Sequence, residues 1–235
     1  MMNFEINELA CQCRRDWDID EIVPIDILTI VLNKIKNLTI SFFDMGKNIS
    51  GACSKSKSQQ VIFINSKHSK ARQSFTLAHE LYHLKFDEIG INICSLKSRD
   101  ETEKNADLFA SCLLMPHGAL KTYKQSNKIS SWDLDSIIAC EQYFGISHTA
   151  LLYRLKDLGE ITNKDYSNFK KNVKQNAMVR GYPISLYEPI SDKESFTYGN
   201  YIRVVENAFE NDLISYGLKE ELLLEASRED IVFNL

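Results

Sequence analysis

The chemistry legible in this chain sits on two histidines and three carboxylates. His79-Glu80-Leu81-Tyr82-His83 lies inside the run Arg72 to Leu84, whose apolar residues recur at helical spacing. Four residues of helix are ~400° of rotation and ~6 Å of rise, so both imidazoles leave one face a turn apart. Two neutral imidazoles so placed can share one divalent cation, and zinc is the usual choice. Glu80 is too close to His79 along the helix to join that ligand set easily. It can instead serve as general base toward a water that the cation acidifies to a pKa of ~7. The plain alternative is a chance pentapeptide, two polar residues on a half-buried helix. Leu77, Ala78, Leu81 and Leu84 weigh against it, because they make an apolar face that packs the helix and leaves the histidines at its edge.

A third ligand should then come from another element. Ser98 and Glu101 have the capping-box spacing, and a helical pattern runs on through Glu103, Asp107, Phe109, Ala110, Leu113 and Leu114. Pro116 should end it, since the residue before a proline is pushed out of helical geometry. Glu103 and Asp107 are four apart and share a face. Glu103 as third ligand, with Asp107 accepting the other N–H of a ligand histidine, would make a supported zinc site. Read apart from that pattern, both are ordinary exposed carboxylates.

Arg-Gln-Ser-Phe-Thr-Leu-Ala-His-Glu-Leu-Tyr-His, followed by Glu103, Asp107, Phe109-Ala110 and Leu113-Leu114-Met115-Pro116, resembles the ImmA/IrrE-type metallopeptidases. These are gluzincin-like proteins often encoded beside phage or mobile-element repressors. The resemblance covers roughly residues 8 to 160. It implies that His79, His83 and Glu103 are metal ligands, that Glu80 is the catalytic glutamate, and that a helix-turn-helix repressor is the protein cut. Two departures stand out: Tyr82 where the family usually has a small residue, and Asp107 where asparagine is common. Neither removes a ligand.

The elements that must position these residues can be read in outline. Residues 4–17 have a helical pattern, and Val23-Pro24-Ile25-Asp26 starts a second helix that runs to about Lys36, with Pro24 near its first turn, where a missing N–H costs nothing. Leu38–Phe43, Ile49–Cys53 and Gln60–Asn65 read as strands of a small antiparallel sheet facing the active-site helix. Gly51–Cys53 or Val61–Ile64 is the candidate rim for an extended peptide substrate, unless those strands are interior. His117 and Tyr123, on a short helix after Pro116, are candidate oxyanion donors, and His117 also reads as a simple loop residue. Residues 131–158 form helix, Gly145 turn, helix, with Ser147 as N-cap of the second. That outline is also a DNA-binding one, with Ser147, His148, Thr149, Arg154 and Lys156 available. Asp157 and Glu160 oppose it, and Leu151, Leu152, Leu155 and Leu158 favour a packing role.

Composition bounds the rest. The 235 residues are 44% hydrophobic and 26% charged, ordinary for a globular protein. No apolar run nears the ~20 residues of a membrane span, and residues 1–8 lack the basic and apolar regions of a secretion signal. The expected compartment is the cytoplasm, with no membrane partner. The six cysteines are scattered and read as small core residues rather than a disulfide framework. Residues 181–235 carry 11 acidic and 4 basic residues, leaving a mildly positive body. That is a weak footprint for nucleic acid.

The sequence thus describes an α+β protein. A mostly helical zincin-like domain spans residues 1–160, and a linker with an acidic helical extension spans 161–235. The expected activity is a zinc metalloendopeptidase (His-Glu-x-x-His plus Glu) acting as an anti-repressor. The alternative is a non-proteolytic regulatory or toxin–antitoxin-type module that grips a repressor or DNA.

Overall fold

A computed structural model describes residues 3–87, 90–95 and 101–235. Helices α1 (Asn3–Asp16) and α2 (Ile27–Lys34) lead into strands β1 (Leu38–Phe43), β2 (Ile49–Lys55) and β3 (Gln60–Asn65). Helix α3 (Lys70–Phe86), strand β4 (Gly90–Ser95) and helix α4 (Glu101–Leu114) follow. Then come α5 (His117–Ser126), α6 (Leu134–Phe144), α7 (His148–Asp157), α8 (Asn163–Phe169) and α9 (Val173–Val179). A 3-10 turn at Ser185–Tyr187 precedes β5 (Phe196–Gly199), α10 (Asn200–Glu210), α11 (Tyr216–Glu225) and α12 (Glu229–Phe233). The class is α+β, as the sequence indicates.

The sheet corrects the expected antiparallel one. Its order is β4-β2-β3-β1-β5, and β1 runs parallel to β3 while the other pairs are antiparallel. Strand β3 slots between β2 and β1 instead of following a simple meander. Hydrophobic alternation sets which side chains face inward and carries no information on strand direction. Leu38, Ile40 and Phe42 alternate with half-exposed neighbours and are fully buried, as period two requires. Strands β4 and β5 were not expected. Consequently β2 and β3 are interior, so neither Gly51–Cys53 nor Val61–Ile64 is a sheet edge.

The segment beyond residue 160 is not purely helical. It supplies β5, which pairs with β1, and Phe196 stacks on Phe42 with ring centroids 4.4 Å apart. Gln73 of α3 stitches it further: its amide nitrogen donates to the Asn65 and Ser66 carbonyls while its oxygen accepts from the Ile190 N–H. The polar stretch after Asn163 forms α8 and α9 rather than an open linker.

Two hydrophobic cores result. One joins the sheet to α1–α4, with Ile6, Val31, Leu77, Leu81, Phe109 and Leu113 among its members. The other lies among α5, α6 and α7, around Leu120, Trp132, Phe144, Leu151 and Leu155. Helix α4 starts at Glu101, and the serine expected as its N-cap, Ser98, lies outside the described residues. It stops at Leu114; Met115 leaves helical geometry ahead of Pro116, as the proline requires.

Helix α3 is buried almost throughout from Thr76 to Leu84, and it lies close against β2 at Gly51. A Cβ there would sit 2.5 Å from Thr76 Cγ2, 2.7 Å from Glu80 Oε1 and 3.0 Å from the Phe63 carbonyl oxygen. Glu80 Oε1 ends a side chain, but the β-branched Thr76 methyl and the Phe63 backbone have no such freedom. Gly51→Ala is therefore expected to destabilise the fold by about 1–3 kcal/mol, read by urea denaturation. Gly118→Ala, where nothing lies within 4 Å of the new methyl, should not. Equal stability of the two variants would contradict this packing.

Candidate active site

His79 and His83 leave one face of α3 with their Nε2 atoms 3.2 Å apart. Glu103, from the first turn of α4, divides its carboxylate between them. Oε2 is 3.3 Å from His79 Nε2 and Oε1 is 3.5 Å from His83 Nε2. One donor atom from each residue falls within 4.8 Å of the others. The anticipated trio is thus brought together, by two helices whose packing closes around Phe109, Ala110 and Leu113.

The other ring nitrogens settle how the imidazoles are presented. His79 Nδ1 is 2.9 Å from Asp107 Oδ1, the partner expected from the sequence. His83 Nδ1 is 2.7 Å from Asp87 Oδ2, which was not. An ionised carboxylate only accepts, so both Nδ1 atoms carry hydrogen and both Nε2 atoms face inward with the Glu103 oxygens. Two nitrogens and one carboxylate converging this way fit a divalent cation of the zinc class. The two supports differ in setting: Asp107 is 64% exposed on its side chain and Asp87 only 25%.

Electrostatics agree with a site built for positive charge. Burial opposes a charged His79, yet hydrogen bonds to Asp107 and Glu103 and the nearby Glu80 carboxylate outweigh it, raising the group to about 10. In the metal-free chain that imidazole holds a proton at neutral pH, and an arriving cation has to displace it. Glu80 is fully buried in the seam between α3 and β2, beside Gly51. Beneath it, burial pushes the Cys53 thiol up, and the Glu80 carboxylate that the thiol hydrogen-bonds adds to the effect.

Tyr82 has a structural explanation. Its ring packs against Phe86, Phe109 and the edge of His83, with centroids 4.9, 5.6 and 5.8 Å away. It fills the α3–α4 interface next to the site. His117 and Tyr123, in contrast, belong elsewhere. Glu103 opens α4 and His117 follows its far end, roughly 16 Å along the axis. Tyr123 packs on Tyr143 and Phe144 in the second core. Neither is placed to serve as an oxyanion donor.

The helix-turn-helix outline is present, with Gly145 left-handed at φ 65° and Ser147 capping α7. Two of its would-be reading residues, Arg154 and His148, are engaged inward. Arg154 is buried and donates to Ser111 Oγ, Cys112 Sγ and the Met115 carbonyl. His148 is buried between Glu141, at 2.5 Å, and the Phe169 carbonyl, at 3.0 Å.

Comparison with family models adds the deciding observation. The Peptidase M78 model, described as the IrrE N-terminal-like domain, matches residues 33–156, more than half of the chain. The chain belongs to this family. The matched range of the M78 peptidase holds β1–β4, α3 and α4, and with them every residue of the site. Strand β5 lies outside the match yet inside the sheet. Comparison with curated proteins found no match. No described helix is long and apolar enough to cross a membrane.

Proposed function

We propose that this M78 peptidase is a zinc-dependent endopeptidase of the cytoplasm that cuts a helix-turn-helix repressor, and so acts as an anti-repressor. The observation that carries the reading is the convergence of His79 Nε2, His83 Nε2 and a Glu103 oxygen, each imidazole braced from behind by an aspartate. A zinc ion held there would supply Lewis acidity, polarising a peptide carbonyl and lowering the pKa of water to about 7. Glu80 takes the proton from the water oxygen that attacks the carbonyl carbon, then delivers it to the amide nitrogen as the C–N bond breaks. Asp87 and Asp107 hold the imidazoles in one tautomer. Strand β4 is the outermost described strand on its side of the sheet, and its outer edge would offer an extended peptide a row of backbone partners. The substrate class comes from the resemblance in the α3 and α4 motifs.

The test is incubation of the zinc-loaded protein with the repressor encoded beside it. Discrete fragments should form, stop with chelator and return with zinc. An intact repressor, under conditions where the protein demonstrably holds the metal, would refute the substrate. Asp87→Ala is expected to weaken zinc binding about 10- to 100-fold in chelator competition. The better-buried Asp87 should matter more than Asp107, and the reverse order would place the support on the wrong histidine.

A further inference from the structure

Arg72 opens the same stripe of α3 that carries the imidazoles. Seven residues place His79 about 20° short of two full turns from it, and eleven place His83 about 20° past three. Its guanidinium is partly buried, and among the described residues it meets one hydroxyl, Ser50 Oγ at 3.0 Å, and no carboxylate. A guanidinium has five N–H donors, so most of this fork is unused. Beside it stands His68, whose Nδ1 is buried with no hydrogen-bond partner among the described residues. Burial and the Arg72 charge hold His68 down at about 4, so it is neutral and leaves Arg72 as the local charge.

The surroundings give this fork a place along a substrate. Strand β2 runs alongside α3, from Ser50 at Arg72, through Gly51 at Thr76 and Glu80, to Lys55, whose Nζ donates to the Leu84 carbonyl at 2.7 Å. Twelve helical residues and five strand residues both span roughly 17–18 Å, so the two elements are matched in length between these end contacts. Strand β4 pairs antiparallel with β2, Ser95 opposite Ile49 and Gly90 opposite Lys55, and forms the sheet's border. A peptide added to β4 would travel the same line. Arg72 lies about 10 Å from His79 along it, three residues of extended chain.

We infer that Arg72, with Ser50 and His68 beside it, is a specificity subsite that takes a carboxylate of the peptide substrate about three residues from the bond being cut. The inference rests on the peptidase reading and adds to it a demand on substrate sequence. The carboxylate belongs either to an acidic side chain or to the peptide's own C-terminus. A paired fork–carboxylate contact is bidentate and directional, so it also fixes where the chain lies relative to the metal.

Fluorescent ten-residue peptide pools, with one Asp scanned against Asn along otherwise degenerate sequences, test this in binding and in cleavage separately. Each pool is made as free acid and as C-terminal amide. Zinc-loaded wild type should bind the best Asp pool about tenfold or more tighter than its Asn twin. Arg72→Gln should erase that difference, and Arg72→Lys should keep part of it. A preference that survives amidation assigns the side chain; one that vanishes assigns the terminus. Equal affinity for Asp and Asn pools, a preference that persists in a folded Arg72→Gln, or no binding at all overturns the inference. Cleavage without acidic preference overturns it while leaving the peptidase intact. Acidic preference in binding without any cleavage leaves the subsite standing and removes the peptidase.

Discussion

Glu80→Gln is expected to reduce peptide hydrolysis by about 10³-fold while zinc content and melting temperature stay as in wild type. Gln has the same shape, so it fits the same fully buried slot between α3 and β2, against Gly51. What it loses is the ability to take a proton. The ligand atoms of His79, His83 and Glu103 are untouched, so the variant should bind metal and substrate and fail in kcat rather than KM. A neutral amide costs less to bury than a carboxylate of the same shape, so stability is expected to hold. Steady-state kinetics with metal analysis on the same sample reads all of this. Hydrolysis within tenfold of wild type would mean that another group moves the proton. A lost metal would mean that Glu80 holds the site together instead.

The largest stability effect should come from a residue far from the chemistry. Arg14, on α1, is fully buried. Its Nε donates to the Leu113 carbonyl at 2.8 Å and Nη2 to the Leu114 carbonyl at 3.3 Å, the last residues of α4. Its Nη1 donates to the carbonyls of Asp20 and Val23 at 2.8 and 2.9 Å. Burial pushes the guanidinium down to about 10, which still leaves it charged at neutral pH. It satisfies carbonyls that the end of a helix leaves without partners, and its charge opposes the negative end of the α4 dipole. Arg154 reaches the Met115 carbonyl from α7, so two buried arginines hold this terminus. Arg14→Ala strands the two buried α4 carbonyls, loses the ties to Asp20 and Val23 and opens a cavity, and should cost about 4 kcal/mol, roughly 10 °C in Tm. Its neighbour Arg15, which pairs with Glu8 and Glu21 at the surface, is the control, and Arg15→Ala should leave Tm where it is. An Arg14→Ala protein melting within two or three degrees of wild type would refute this anchoring role.

The site was more legible than the sheet, for physical reasons. His79, His83, Glu103 and Asp107 each follow from a four-residue spacing on a helix, and the helix keeps such pairs together whatever the tertiary fold does. Asp87 obeys the same spacing from His83 but falls one residue past the helix, where the backbone turns extended, so periodicity alone did not reach it. Strand β5 is only four residues long and owes its existence to pairing with β1. The direction of β1 against β3 is likewise a tertiary fact. Arg14, His148 and Arg154 read as surface residues by type. Their burial depends on acceptors supplied by other segments, in Arg14's case 99 and 100 residues away. Arg72 was in view as part of a motif, but only the absence of an acid beside it among the described residues makes it informative.

Strand β5 leaves the ribosome after the other described strands of its sheet. The Ser41 hydroxyl meets Thr197 across 156 residues of chain, so β1 is synthesised long before its outer neighbour exists. Until then, one border of the nascent sheet is an unfilled ladder, with Phe42 lacking the ring that later covers it. A peptidase assembled in this order withholds its finished scaffold until β5 has emerged. Its half-made form carries the sticky margin on which misassembly and chaperone capture both begin.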